Sequence, residues 1–136
     1  SYPAALLDLL AAECGLGPGA DVADVGAGTG ILTRLLLERG ARVFAVEPNG
    51  PMRAAAEQAL GDRPGFVGVA ATAEATTLPD AAIDLVTASQ AFHWFEPAAT
   101  RREWARILRP GGSAALIWND RHSSGSPFAE EYEQLL

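Results

Sequence analysis

Val22-Ala23-Asp24-Val25-Gly26-Ala27-Gly28-Thr29-Gly30 is an apolar run closing in three glycines, and Ile31, Leu32, Leu35 and Leu36 follow it at helical spacing. The hydrophobic pattern changes there from that of a buried strand to that of a helix, with Thr33, Arg34, Glu38 and Arg39 on the helix's other side. A strand, a tight turn and a helix in this order bring backbone N–H donors and the positive end of a helix to one point, which favours a polar or anionic ligand. Glycine suits such a turn because a Cβ would block close backbone approach or forbid positive φ. A glycine-rich turn alone is weak evidence, so spacing has to decide. The dinucleotide fingerprint requires glycine at position 31; the residue is Ile31 and the third glycine stands one place earlier, which weighs against a nicotinamide cofactor. The blander reading of the same residues is a structural turn with no ligand.

Working outward, Leu6, Leu7 and Leu10 behind Pro3 predict a short opening helix that stops at Gly15. Beyond the central turn the alternation repeats: a strand over 42–47, an Ala-rich helix over 51–60, a strand over 66–70, a strand over 83–89, a helix over 97–108 and a strand over 113–118. Arg109-Pro110-Gly111-Gly112 ends the helix over 97–108. Strands alternating with helices through short connections imply crossover units, hence a doubly wound α/β fold with a mostly parallel sheet and helices on both faces. Ser123-Ser124-Gly125-Ser126 reads as a loop, and Pro127 as the start of a helix carrying Phe128, Tyr132, Leu135 and Leu136 on one face.

The 136 residues, about half of them apolar, fit one domain spanning 1–136. Ser1 in place of an initiator methionine and the helix pattern running to Leu136 make a fragment, or a partly ordered longer chain, the expectation. The net charge of −7, with every basic residue an Arg, argues against nucleic acid or an anionic membrane as partner. Cys14 is the only cysteine, so no intrachain disulfide can form, and a cytoplasmic home is the simplest expectation. No apolar run is long enough to span a bilayer. His122 stands alone, so no metal-ligand spacing exists.

The stretch from Val22 to Gly30, with an acid two places before the first glycine, closely resembles the first motif of class I S-adenosylmethionine-dependent methyltransferases, of the type 11 kind. Val46-Glu47-Pro48-Asn49 is similar to the family's second motif. Ala73-Glu74-Ala75-Thr76-Thr77-Leu78-Pro79 leading to Ile83-Asp84-Leu85-Val86 resembles the stretch beside the adenine and the strand after it, and Arg106 to Gly112 the signature before strand five. The resemblance covers about residues 20 to 120. It implies a Rossmann-like sheet of order 3-2-1-4-5 with S-adenosyl-L-methionine as cofactor and S-adenosyl-L-homocysteine as product. The family's C-terminal antiparallel strands are expected to be missing, leaving an exposed strand-five edge open to dimer formation.

Carried over by position, the resemblance puts the backbone of Gly26, Ala27, Gly28 and Gly30 near the methionine and ribose, and has Asp24 orient the cofactor's ammonium group. It gives the ribose hydroxyls to Glu47, the flanks of the adenine to Pro48 and Met52, and its polar edge to Thr72, Ala73 and Glu74; many relatives carry Asp where Thr72 stands. Ser89, Gln90 and Ala91 would close over the methionine end. Ala91-Phe92-His93-Trp94-Phe95 resembles the His-Trp-Phe stretch of a subgroup that includes enzymes acting on small organic acids, which makes His93 the candidate catalytic base; the plainer alternative is that His93 caps a turn while the aromatic residues pack. The plainer alternatives for Glu47 and Asp24 are a solvated strand-end acid and a cap on backbone amides. Arg102, Arg106 and Arg109 read as a wet helix face. The expected function is methyl transfer to a small-molecule acceptor by in-line displacement, the rivals being a cofactor-binding module without activity and an NAD-dependent oxidoreductase.

Overall fold

The computed structural model describes residues 2–89, 96–119 and 128–134. Helix α1 (Ala4–Cys14) precedes strand β1 (Asp21–Val25), and α2 (Ile31–Glu38), β2 (Arg42–Val46), α3 (Gly50–Leu60) and β3 (Phe66–Val69) follow. The chain continues through β4 (Ile83–Ser89), α4 (Pro97–Ile107), β5 (Leu108–Asn119) and β6 (Phe128–Gln134). One six-stranded sheet has the order β3-β2-β1-β4-β5-β6, parallel except for β6.

Period-2 alternation along the strands divides the core between the two sheet faces. Val22, Val43 and Leu85 pack with Leu6, Leu7 and Leu10 of α1 and Leu32 and Leu36 of α2. Ala23, Val25, Val46 and Val86 belong to the opposite cluster, with Trp104 and Ile107 of α4. α1 ends as its sequence predicts, with Gly15 left-handed at φ 76°. Cys14 is buried, as expected of a small apolar side chain, and burial pushes its thiol above the ordinary range.

The C-terminal segment departs from expectation. Residues 128–134 do not continue as a helix: they form β6, antiparallel to β5 from Ser113↔Gln134 to Asn119↔Phe128. Phe128 and Tyr132 stand four apart, a spacing that satisfies a helix's period and a strand's alternation alike, and the unpaired N–H and C=O groups along β5 decide between them. An antiparallel C-terminal strand is therefore present, and strand five is not the exposed edge on which a dimer was expected. β5 also begins earlier than its sequence suggested. Its pairing with β4 passes from Ile83↔Leu108 directly to Leu85↔Ser113, so residues 109–112 bulge out of register. From that bulge Arg109 pairs with Asp21 and Asp84, tying the starts of β1, β4 and β5 together.

Two strands on one side of β1 and three on the other place the reversal of connection direction between β1 and β4. In open α/β sheets a ligand crevice lies at such a switch point, outside the carboxyl ends of the strands. Val25, Val46 and Val69 finish their strands at matching register with Ala88, one residue before the end of β4, so the loops after them emerge along one edge.

Candidate cofactor site

The loop after β1 is folded over the end of β2: Gly26 and Ala27 both donate their N–H to the Val46 carbonyl, at 2.9 and 3.1 Å. Gly26, Gly28 and Gly30 all have positive φ. They differ in what faces them. A Cβ added at Gly28 would meet no described atom within 4 Å, so the backbone there lies bare at the crevice. A Cβ at Gly30 would stand 2.8 Å from Leu60 Cδ1 and 3.4 Å from Ala56 Cβ, so Gly30 brings the start of α2 hard against α3. Gly30→Ala combines this overlap with a φ of 94°. It is expected to lower unfolding stability by about 1–3 kcal/mol, read from urea melts, the cost typical of a strained backbone position or an overfilled contact.

Glu47 leaves the end of β2 and turns its carboxylate back to the glycine loop. Oε1 accepts from Gly28 N at 2.8 Å and Oε2 from Asn49 N at 2.9 Å, with the residue 93% removed from solvent. A carboxylate offers about four lone-pair directions, so the two that remain can serve a pair of hydroxyls. Asn49 caps α3, its Oδ1 accepting from Met52 N, and Arg53 reaches back to donate to the Glu47 and Pro48 carbonyls. Glu47 is thus fixed from three directions and is no solvated strand-end acid. Pro48 and Met52 stand exposed beside it.

Asp24 is almost wholly buried in β1. Its Oδ2 accepts from Thr33 Oγ1 of α2 at 2.6 Å and its Oδ1 from Thr87 Oγ1 of β4 at 3.0 Å. Burial pushes its carboxyl up to about 6; the two hydroxyls oppose that rise and the nearby charge of Glu47 adds to it. The partners are hydroxyls rather than the backbone amides of a capping arrangement.

Across the crevice Thr72 is exposed and bridges to Ala75, Ala73 is buried among Val25 and Val46, and Glu74 is half-buried. Ser89, at the end of β4, accepts a hydrogen bond from the Tyr2 hydroxyl at 2.9 Å. Gln90, Ala91 and His93 lie outside the described residues. The loops carrying Gly26 to Gly30, Glu47 to Met52, Thr72 to Glu74 and Ser89 all emerge along the sheet's carboxyl edge. Thr33, Thr87, Arg53 and Tyr2 were not anticipated. A threonine in each of two buried apolar segments, near a buried Asp, was the available signal for the first two. Among the described residues no group of His, Cys, Asp or Glu could hold a metal ion, and no helix is long and apolar enough to cross a membrane.

A doubly wound sheet with an open glycine turn at Gly28 and a fixed carboxylate at its switch point defines an α/β domain with a ligand crevice at its carboxyl edge. The family model for the methyltransferase domain matches residues 23–116. The chain belongs to the class I S-adenosylmethionine-dependent methyltransferase family. An uncharacterized methyltransferase of Mycobacterium tuberculosis is 43% identical over 89% of this chain and 47% of its own length. An uncharacterized methyltransferase of Schizosaccharomyces pombe is 33% identical over 99% of this chain and 53% of its own. The crystal structure of an S-adenosylmethionine-dependent methyltransferase from Mesorhizobium loti superposes with a TM-score of 0.72 at 29% identity, covering 82% of this chain and 52% of that one. The chain spans about half the length of the curated relatives it matches.

Proposed function

We propose that the protein binds S-adenosyl-L-methionine in the crevice between the β1 and β4 loops and transfers its methyl group to a small-molecule acceptor. The observation that carries this reading is the pairing of a bare Gly28 backbone with the Glu47 carboxylate 2.8 Å from its amide. That pairing suits a nucleoside: the backbone admits a ligand closely while the carboxylate's spare lone pairs accept both ribose hydroxyls. Pro48 and Met52 offer apolar surface to one side of the base and the turn at Thr72, Ala73 and Glu74 to its edge. Asp24 supplies a negative charge for the ammonium end, and Ser89 at the end of β4 stands on the side of the methionine portion.

A sulfonium cofactor supplies an activated methyl group whose departure needs no proton. The protein's own contribution is then alignment and exclusion of water, which suffices where the acceptor is a carboxylate or a free amine. For a hydroxyl acceptor, His93 is the base the sequence offers. The Mesorhizobium loti relative, named for its use of S-adenosylmethionine, supports the choice of cofactor.

Isothermal calorimetry tests the reading: saturable binding of S-adenosylhomocysteine and none of NAD is the expected result, and the reverse preference overturns it. Turnover of labelled S-adenosylmethionine with a panel of small acids, amines and alcohols then separates an enzyme from a binding module.

A further inference from the structure

Glu103, on α4, lies outside every motif that marks the cofactor site, yet it holds the chain segment on that site's base side. Its Oε2 accepts from both Thr76 N and Thr76 Oγ1, at 2.8 and 2.7 Å. The Thr76 hydroxyl in turn accepts from Leu78 N at 3.2 Å, and Thr76 is completely buried. Arg106, one turn further along α4, fixes the carboxylate from behind: its Nε donates to Oε1 at 2.9 Å and its Nη2 to Oε2 at 2.7 Å, while its Nη1 reaches Asp80. The loop returns to the same helix through its backbone, Ala81 N to the Arg106 carbonyl and Ala82 N to that of Ile107. The guanidinium of Arg106 holds the Glu103 carboxyl down at about 2, so the clasp stays charged at any physiological pH.

The segment held in this way is strained. Thr77 and Ala81, neither of them glycine, sit at φ 67° and 49°, left-handed conformations that persist only where the surroundings over-determine them. Immediately before the clasp, Thr72 bridges to Ala75 in a tight turn. No helix stands between β3 and β4 among the described residues, so this turn has no regular structure of its own to fix it.

We propose that Glu103 is a positioning residue for base recognition: by gripping Thr76 it sets the 72–76 turn at the height where its backbone meets the edge of the adenine. This rests on the cofactor reading above. A merely structural Glu103 would support affinity for any nucleoside ligand equally, whereas a positioning Glu103 affects the discrimination between bases.

The test compares two ligands that differ only at the base edge, S-adenosylhomocysteine and S-inosylhomocysteine, by calorimetry on the protein and its Glu103→Ala, Thr76→Val and Asp80→Ala variants. Glu103→Ala is expected to weaken S-adenosylhomocysteine about 10-fold, the loss of roughly one hydrogen bond between the turn's backbone and the adenine edge, and to leave S-inosylhomocysteine nearly unchanged, so the preference for adenine collapses. Thr76→Val, which keeps the backbone N–H but removes the hydroxyl, moves the preference the same way by less. Asp80→Ala removes only the exposed partner of Arg106 and should change neither affinity. Equal losses for both ligands, an unchanged preference, or no preference in the unmodified protein overturns the positioning role while leaving the cofactor reading in place. Failure of the unmodified protein to bind S-adenosylhomocysteine at all removes both.

Discussion

Replacing Glu47 with alanine is expected to weaken S-adenosylhomocysteine binding about 10- to 100-fold, since hydrogen bonds to a charged acceptor carry about 1.5–3 kcal/mol. Two losses combine in that figure. The ribose hydroxyls lose their acceptor, and the glycine loop loses the carboxylate that accepts from Gly28 N. The second loss also reaches the free protein: Gly28 N–H is half-buried and would be left to water or to nothing, while Asn49 N–H is exposed and can be hydrated. Thermal melts of the alanine variant should therefore show a modest stability loss alongside the large binding loss. Glu47→Gln separates the two, because its single carbonyl oxygen can restore one amide contact and part of the stability but cannot serve two amides and two hydroxyls at once. Calorimetry on both variants provides the check, and unchanged affinity in Glu47→Ala would take this residue out of the site.

The parts of this arrangement that the sequence reveals are those set by neighbours along the chain. The change of hydrophobic period at Gly30 locates the β1 turn. Glu47 is visible as an acid at the end of an apolar strand, and the next strands and helices follow from the same two periods. What stays hidden depends on partners far apart in sequence. Thr87 and Asp24 are separated by 63 positions and meet only because β4 pairs with β1 in the register Asp24↔Thr87. Tyr2 and Ser89, 87 positions apart, meet where the start of α1 reaches the carboxyl edge of the sheet. Arg106 on α4 and Arg109, which lies on β5 rather than on the helix, show the same limit. Their stripe reads as a wet face by periodicity, and helical spacing offers Arg106 only Glu103; Asp80 beside Arg106, and Asp21 and Asp84 around Arg109, come from elsewhere in the chain, where periodicity does not reach. The mistaken C-terminal helix has a related cause: a spacing compatible with two periods is resolved by a vacant strand edge that no local pattern contains.

Asp24→Asn is expected to move stability and binding in opposite directions. The carboxyl stands at about 6 in the folded protein against an ordinary 3.8, so between those values the folded state holds the proton more tightly than the unfolded chain does. Stability attributable to this group is therefore fully present below pH 3.8 and is lost as pH rises through about 6. At roughly 1.4 kcal/mol per pH unit, the ionised Asp24 costs the fold about 3 kcal/mol at neutral pH. An amide cannot ionise, and Thr33 and Thr87 can rotate their hydroxyls to meet its oxygen and its NH2 group. The variant should match the unmodified protein in urea melts near pH 4 and exceed it at pH 7.5 by up to about 3 kcal/mol. Above about pH 6, where Asp24 is ionised, S-adenosylhomocysteine should bind the variant more weakly, since the charge that burdens the fold is the one offered to the ligand's ammonium group. A variant less stable at pH 7.5, or a stability gap that ignores pH, would show that the two hydroxyls fully offset the burial of the charge. A rise in stability with no loss of binding would mean that Asp24 serves only to join β1, α2 and β4. The expected pair of opposite effects fits a charge kept in the core against its desolvation because the site uses it.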